Sequence, residues 1–194
     1  AVKCVRHPAP VPFSSPLMSS EHPSPPRENI VLIGFMGSGK TTFGKKLSAK
    51  FGLQFIDLDE AIVLHYKLKT GEVKTIAQII SKEGFDYFRK AESETLRSLD
   101  LENKVVATGG GTPCYFDNMR WMKENGTVVF LEIEEKILFS RLKKTDLSQR
   151  PLLKDFDEEG LKNFISEKLS ERLPTYLQAH IVFNPVRSKT AFGF

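Results

Sequence analysis

One octapeptide constrains this chain more than any other stretch. Gly34-Phe35-Met36-Gly37-Ser38-Gly39-Lys40-Thr41 reads G-x-x-x-x-G-K-T, the phosphate-binding P-loop pattern. The motif means something only between a strand and a helix, and the flanks supply both. Ile30-Val31-Leu32-Ile33 is an apolar run suited to a strand buried on both faces. Phe43, Leu47 and Phe51 recur at the spacing of one helical face. Glycines let backbone N–H groups wrap phosphate oxygens, and the helix N-terminus adds a favourable partial charge. Lys40 is placed to reach the β- and γ-phosphates, and the Thr41 hydroxyl to ligate Mg²⁺. Gly37, Ser38, Gly39 and Thr42 complete the expected nucleotide-binding set. The chain is therefore expected to bind a nucleoside triphosphate.

At 194 residues with 40% apolar content, the chain has enough for one domain with a substantial core. A formal net charge of +4 suits an anionic ligand. No basic run with interleaved aromatics and no nucleic-acid-binding signature accompanies it, so no nucleic-acid partner is expected. Cys4 and Cys114 lack metal-ligand spacing and are expected to be reduced thiols of a cytoplasmic protein. No apolar stretch approaches the ~20 residues that span a bilayer, so no membrane partner is expected.

Residues 1–28 stand apart by composition. Pro8, Pro10, Pro12, Pro16, Pro23, Pro25 and Pro26, with serines between them, leave no periodic apolar face, and a disordered segment is expected. From residue 29 onward, strands alternate with helices. Gly52 stops the first helix; Gln54-Phe55-Ile56 reads as a strand ending in Asp57-Leu58-Asp59. A helix from 59 to about 66 is expected, then a polar loop over 67–74. Thr75 with Gln78 forms a capping-box signature for a helix that stops at Gly84. The next helix turns Phe85, Phe88, Leu96 and Leu99 to the core, with Arg89 and Glu92 on its other face. Val105-Val106-Ala107 runs as a strand into Gly109-Gly110-Gly111. A helix over 117–124, a strand over 127–131, a helix over 134–143, a charged stretch over 143–157, a helix from 158 to Pro174 and a strand over 181–183 follow. This alternation predicts an α/β fold, a five-stranded parallel sheet with helices on both faces.

Asp57 and Asp59 close a strand, at the end of an open parallel sheet where ligands bind. One carboxylate can help position Mg²⁺ through water and the other accept a hydroxyl proton. An Asp59 helix cap beside a solvated Asp57 fits the residues equally well. The three glycines permit close backbone approach to a ligand, or make a plain turn. Arg89, Arg150 and Arg172 each read, alone, as surface charges. Trp121 and the phenylalanines at helix spacing read as core, and His65 and His180 have no matched partners.

Taken in order, the P-loop, Asp57-x-Asp59, Phe88-Arg89-x-x-Glu92, Gly109-Gly110-Gly111, Arg150-Pro-Leu-Leu and Arg172-Leu-Pro-Thr-Tyr176 closely resemble the bacterial shikimate kinases, from about residue 29 to 184. The resemblance implies a P-loop nucleoside-monophosphate-kinase-like fold with a mobile segment over about 143–157. It implies ATP-dependent phosphorylation of the 3-hydroxyl of shikimate in aromatic amino-acid biosynthesis, with ATP and Mg²⁺ required. Asp59, Arg89, Gly110, Gly111 and Arg172 would hold shikimate, the arginines on its carboxylate. Asp57 would serve the Mg²⁺ shell through water. Lys40, Asp59 and Arg150 would be the catalytic residues, Arg150 on the mobile segment, and Arg141 would lie against the adenine. Glu92 reads either as the orienting partner of an arginine or as half of a surface ion pair. A small-molecule partner and a monomer follow from the same resemblance. The gluconate kinases share the P-loop architecture but should lack the FRxxE and RPLL elements. A catalytically dead binding protein would typically lose Lys40, the aspartates or Arg150, and all are present.

The pattern is departed from in three places. The connection between Asp59 and Thr75 is longer than the family's, and the extra residues are expected in the loop over 67–74. The family continues from the last strand into a C-terminal helix, and residues near that junction complete the adenine pocket. Here Asn184-Pro185 is expected to keep part of that junction, with 186–194 as a short tail. The Pro-rich front has no counterpart in the family core. The expected organisation is thus a segment over 1–28, a kinase domain over 29–185 and a tail over 186–194.

Overall fold

The computed structural model describes residues 29–144, 153 and 156–187. The expectations for 1–28, Cys4, Arg150 and 188–194 lie outside the described residues.

Strand β1, Ile30–Ile33, is the centre of the molecule. Its side chains alternate between faces, so Val31 and Ile33 enter one core cluster and Leu32 another. That two-sided burial needs neighbours on both edges. β3 (Lys104–Ala107) and β4 (Thr127–Leu131) supply them, and β2 (Gln54–Asp57) and β5 (Ile181–Phe183) extend the sheet outward. The order is β2-β3-β1-β4-β5 and every pairing is parallel, as expected. The chain builds β2 and β3 to one side of β1 and then crosses to β4 and β5. The loop after β1 therefore sits where the strand order switches, the preferred ligand position in such sheets. Register brings the loops together: Leu32 lies opposite Ala107, and Ala107 opposite Asp57. Leu32, Ala107 and Asp57 thus form one row, and Gly34 and Thr108 follow just beyond it at the carboxyl edge.

Helices cover both faces. On one face α2 (Leu58–Thr70), α4 (Phe85–Ser98), α5 (Asn118–Asn125) and α7 (Glu158–Tyr176) bring Leu58, Ile62, Phe88, Leu96, Met122 and Tyr176 onto the sheet. On the other, α1 (Lys40–Phe51) lies over Leu32 and Val105. A third cluster joins Phe35 of the P-loop to α6 (Glu135–Lys143), Leu153 and α7. The helix α3 (Ile76–Glu83) begins with the expected capping box, Thr75 and Gln78 each holding the other's backbone N–H.

Several boundaries and faces differ from expectation. The buried face of α1 is Gly44 and Ser48, with Phe43 and Leu47 half-buried beside it and Phe51 exposed. The helix lies too close to the sheet for a side chain at 44: a Cβ there would stand 2.5 Å from Phe55 and 3.1 Å from Leu32. Gly44→Leu is expected to cost about 1–3 kcal/mol as an overpacked contact, read as a lower thermal midpoint. An unchanged midpoint would mean that Phe55 yields freely.

Helix α2 continues to Thr70, so half of the expected 67–74 loop is helical. Lys67 and Lys69 are good helix formers and complement the dipole in the last turn, and Gly71 closes the helix at φ 76°. Phe85, at the start of α4, is exposed, and Leu99 only partly buried, whereas Glu92, expected on the outer face, is wholly buried. Helix α7 passes through Pro174, which has no N–H for the carbonyl four residues back. Burial of the Tyr176 ring against Phe130, centroids 5.0 Å apart, offsets that loss. Trp121 packs on the core as expected, and His180 accepts the Val128 N–H through Nδ1 at 3.1 Å, a link between neighbouring strands. Among the described residues no helix is long and apolar enough to cross a membrane.

Candidate active site

The P-loop opens a cleft of about 600 Å³ at the carboxyl edge of the sheet. Gly37, Ser38, Gly39, Lys40, Thr41 and Thr42 line one wall, with Asp57, Asp59, Thr108, Gly109 and Gly110 among the residues opposite. Gly39 caps α1 at φ 93°, a conformation that L side chains avoid, so the loop can turn its amides inward only with glycine there. Lys40, the first residue of α1, folds its ammonium back over the loop, donating to Gly34 O at 2.8 Å and Phe35 O at 3.0 Å. The P-loop thus carries a buried cation held by two of its own carbonyls.

The two aspartates divide their work at the strand-to-helix junction. Asp57 ends β2 and caps α2, accepting the Asp59 N–H at 3.1 Å. The cap is thus Asp57 rather than Asp59. Its second oxygen accepts the Thr41 hydroxyl at 2.8 Å. This pair of hard oxygen donors at the mouth of the P-loop fits Mg²⁺, which favours a few carboxylate or hydroxyl ligands and leaves its other positions to phosphates and water. Among the described residues no cluster of three His, Cys, Asp or Glu forms a dedicated metal cage.

Asp59 lies one residue into α2, its accessible side facing the cleft. Although the residue is open to the cleft, protein atoms around the carboxyl, then the charges of Asp57 and Glu92, push its pKa up to about 6 against the pull of Lys40 and Arg89. Those four neighbours come from three elements, β2, α1 and α4, and Asp59 lines the P-loop cleft beside the Gly109 turn.

The Gly-Gly-Gly turn is the hub of that arginine side. A Cβ at Gly109 would stand 2.7 Å from Glu92 Oε1 and 3.4 Å from Asp59 Oδ1; one at Gly111 would stand 2.7 Å from Arg89 Nη2. One at Gly110 would press on the Met36 N–H at 3.2 Å and lie 3.5 Å from Arg172 Nη1. Close approach, not a plain turn, explains these glycines. Arg89 of α4 lies with its guanidinium 4.2 Å from the Tyr115 ring centroid and donates to Glu92 Oε2 at 2.7 Å. Its Nε–H has no protein partner among the described residues. Arg172 of α7 is buried, its guanidinium 5.6 Å from the Phe35 ring centroid. The Tyr176 hydroxyl, one turn on, donates to Gly110 O. Two arginines expected from distant parts of the chain thus flank one glycine turn. Glu92 is no surface ion pair, since its side chain is 1% exposed.

Arg141 of α6 donates from Nη1 to Gly37 O at 2.9 Å and Ser38 O at 3.1 Å, on the nucleotide side of the cleft. Phe183 and Pro185 line the same side, Pro185 where the junction after β5 was expected. Lys143, at the start of the expected mobile segment, and Glu158, just past its end, form an ion pair, and Leu153 within the segment is buried. Cys114 is a free, half-buried thiol whose pKa burial pushes up, which makes it a poor nucleophile. Sequence reasoning missed Thr112, Tyr115 and Asn118. The only signal for them is position: they directly follow the glycine turn.

Comparison with known proteins gives the same picture. The family model for shikimate kinase matches residues 36–191. A shikimate kinase of Phocaeicola vulgatus is 44% identical over 155 residues, 79% of this chain and 85% of that protein. One of Persephonella marina is 43% identical over 154 residues, 79% and 86% of the two. The crystal structure of shikimate kinase from Bacteroides thetaiotaomicron matches with a TM-score of 0.74 at 39% identity, covering 81% of this chain and 86% of that one. The Acinetobacter baumannii enzyme, solved in complex with shikimate, matches at 0.71 and 34% identity, covering 81% and 83%. Motifs, fold and relatives agree, and this chain belongs to the shikimate kinase family.

Proposed function

We propose that residues 29–185 transfer the γ-phosphoryl group of ATP to the 3-hydroxyl of shikimate, giving shikimate 3-phosphate and ADP. The observation that carries this reading is the pair Arg89 and Arg172 on either side of the Gly109-Gly110-Gly111 turn, beside a P-loop cleft walled by Asp59. Guanidinium forks match a planar carboxylate, so a carboxylate-bearing alcohol is the acceptor that this arrangement suits. With its carboxylate on the arginines, the acceptor lies across Asp59 towards the P-loop.

In the reaction the acceptor oxygen forms a bond to the γ-phosphorus while the bond to the β–γ bridging oxygen breaks. The hydroxyl proton passes to Asp59 or to the transferred phosphoryl oxygens, and ADP leaves with the bridging electrons. Protein work here is mainly positioning and charge stabilisation. P-loop amides and Lys40 hold the phosphates, and Asp59 orients the hydroxyl. Thr41, and Asp57 through water, would hold Mg²⁺, which when bound neutralises phosphate charge. Arg141 would face the adenine. Arg150, outside the described residues, would reach the transferring group from a segment that covers ATP and keeps water out.

ADP release from Mg-ATP, followed with shikimate and with gluconate in parallel, tests the reading. Strong stimulation by shikimate alone is expected. Stimulation by gluconate, or by neither acceptor while ATP still binds, would overturn it.

A further inference from the structure

We propose that Thr112 is a positioning residue for the acceptor: its hydroxyl proton fixes the Glu92 carboxylate that aims Arg89. The proposal rests on the reading of Arg89 as a carboxylate-binding residue.

Glu92 is closed off from solvent, and an ionised carboxylate in that position needs a partner on each oxygen. Oε2 takes the Arg89 guanidinium at 2.7 Å, and Oε1 takes the Thr112 hydroxyl at 2.5 Å. Thr112 is itself wholly buried, so its single proton is committed to Glu92. The turn that carries it is clamped in place. Thr112 O accepts Asn118 Nδ2 at 2.9 Å, and buried Asn118 Oδ1 accepts Ser93 Oγ at 2.8 Å and Arg97 Nη1 at 2.7 Å. Ser93 and Arg97 belong to α4, the helix of Arg89 and Glu92. The circuit therefore runs from α4 through Asn118 and Thr112 back to α4. Tyr115, three residues past Thr112, holds the other side of Arg89 with its ring.

A Glu92 oxygen left without its donor cannot turn to water, and Gly109 crowds it from the turn. It then draws on the Arg89 N–H groups, which are shared away from a bound carboxylate. A hydrogen bond to a charged group is worth about tenfold or more in an equilibrium constant, enough to set which partner the Arg89 N–H groups serve. The hydroxyl should matter to the acceptor and not to the nucleotide.

Thr112→Val keeps the shape and removes the hydroxyl, Thr112→Ala removes it with less demand on packing, and Thr112→Ser restores it. Shikimate and ATP dissociation constants, measured by calorimetry on the full chain, read the outcome. Expected are an about tenfold weaker shikimate affinity in the Val and Ala variants, recovery in the Ser variant, and unchanged ATP affinity in all three. A folded Val or Ala variant that binds shikimate as the parent does would overturn the role of Thr112 alone. So would equal losses for ATP and shikimate. A parent that binds no shikimate would overturn the reading of the arginines, and this inference with it.

Discussion

Asp59→Asn is expected to lower kcat with shikimate by roughly 10²- to 10⁴-fold, the range over which a positioned acid–base group acts, with ATP affinity near that of the parent. Asparagine keeps the size but neither takes a proton nor carries charge. The position is held independently of the side chain, because Asp57 caps the Asp59 N–H. Asp57 and Thr41 remain paired, so the proposed Mg²⁺ donors are undisturbed. Shikimate affinity should fall modestly, since Asp59 contributes one contact beside the two arginines. Single-turnover phosphoryl transfer under saturating substrates isolates the chemical step. A variant that keeps more than about a tenth of the parent rate would reduce Asp59 to a wall of the cleft.

Arg172→Lys should lower kcat/KM for shikimate by about 100-fold despite the retained charge, because a compact, strongly hydrated ammonium replaces a planar fork. The native guanidinium is buried against Phe35 and faces Gly110, an environment that tolerates a weakly hydrated delocalised cation. Lysine there faces a larger desolvation cost and makes no bidentate bond. The discriminating measurement compares shikimate with an analogue lacking the carboxylate, on parent and variant. If Arg172 grips the carboxylate, the parent's preference for shikimate collapses in the variant, and the two losses are not additive. An undiminished preference would assign Arg172 to holding Phe35 and Gly110 instead.

Much of this arrangement was legible in the linear chain. The P-loop, its strand and its helix announced themselves because phosphate binding demands glycines, a lysine and a hydroxyl at fixed spacing. The parallel sheet followed from short apolar runs alternating with helical periodicity. Helix limits at Gly52 and Gly84, and the capping box at Thr75, were local signals that the structure honours. Other boundaries failed where tertiary packing outweighs local preference. Pro174 suggested an end to α7, yet burial of Tyr176 carries the helix past it. Phe51 and Phe85 are apolar at helical spacing but fall at helix ends that reach beyond the core.

The P-loop was readable in the linear chain because its residues are contiguous and their spacing is the signal. The order of motifs also carried the family, and with it Asp59, Arg89 and Arg172. The contacts of Asp57, Glu92 and the three glycines came from packing between elements. Asp57 joins a helix cap to the Thr41 hydroxyl, a pairing that requires β2 and α1 to meet. Glu92 is buried because the glycine turn closes over it, and nothing in its own helix says so. Thr112 is neither charged nor part of a motif. Its role exists only because the turn after β3 packs on α4, where one hydroxyl proton meets a carboxylate that water does not reach.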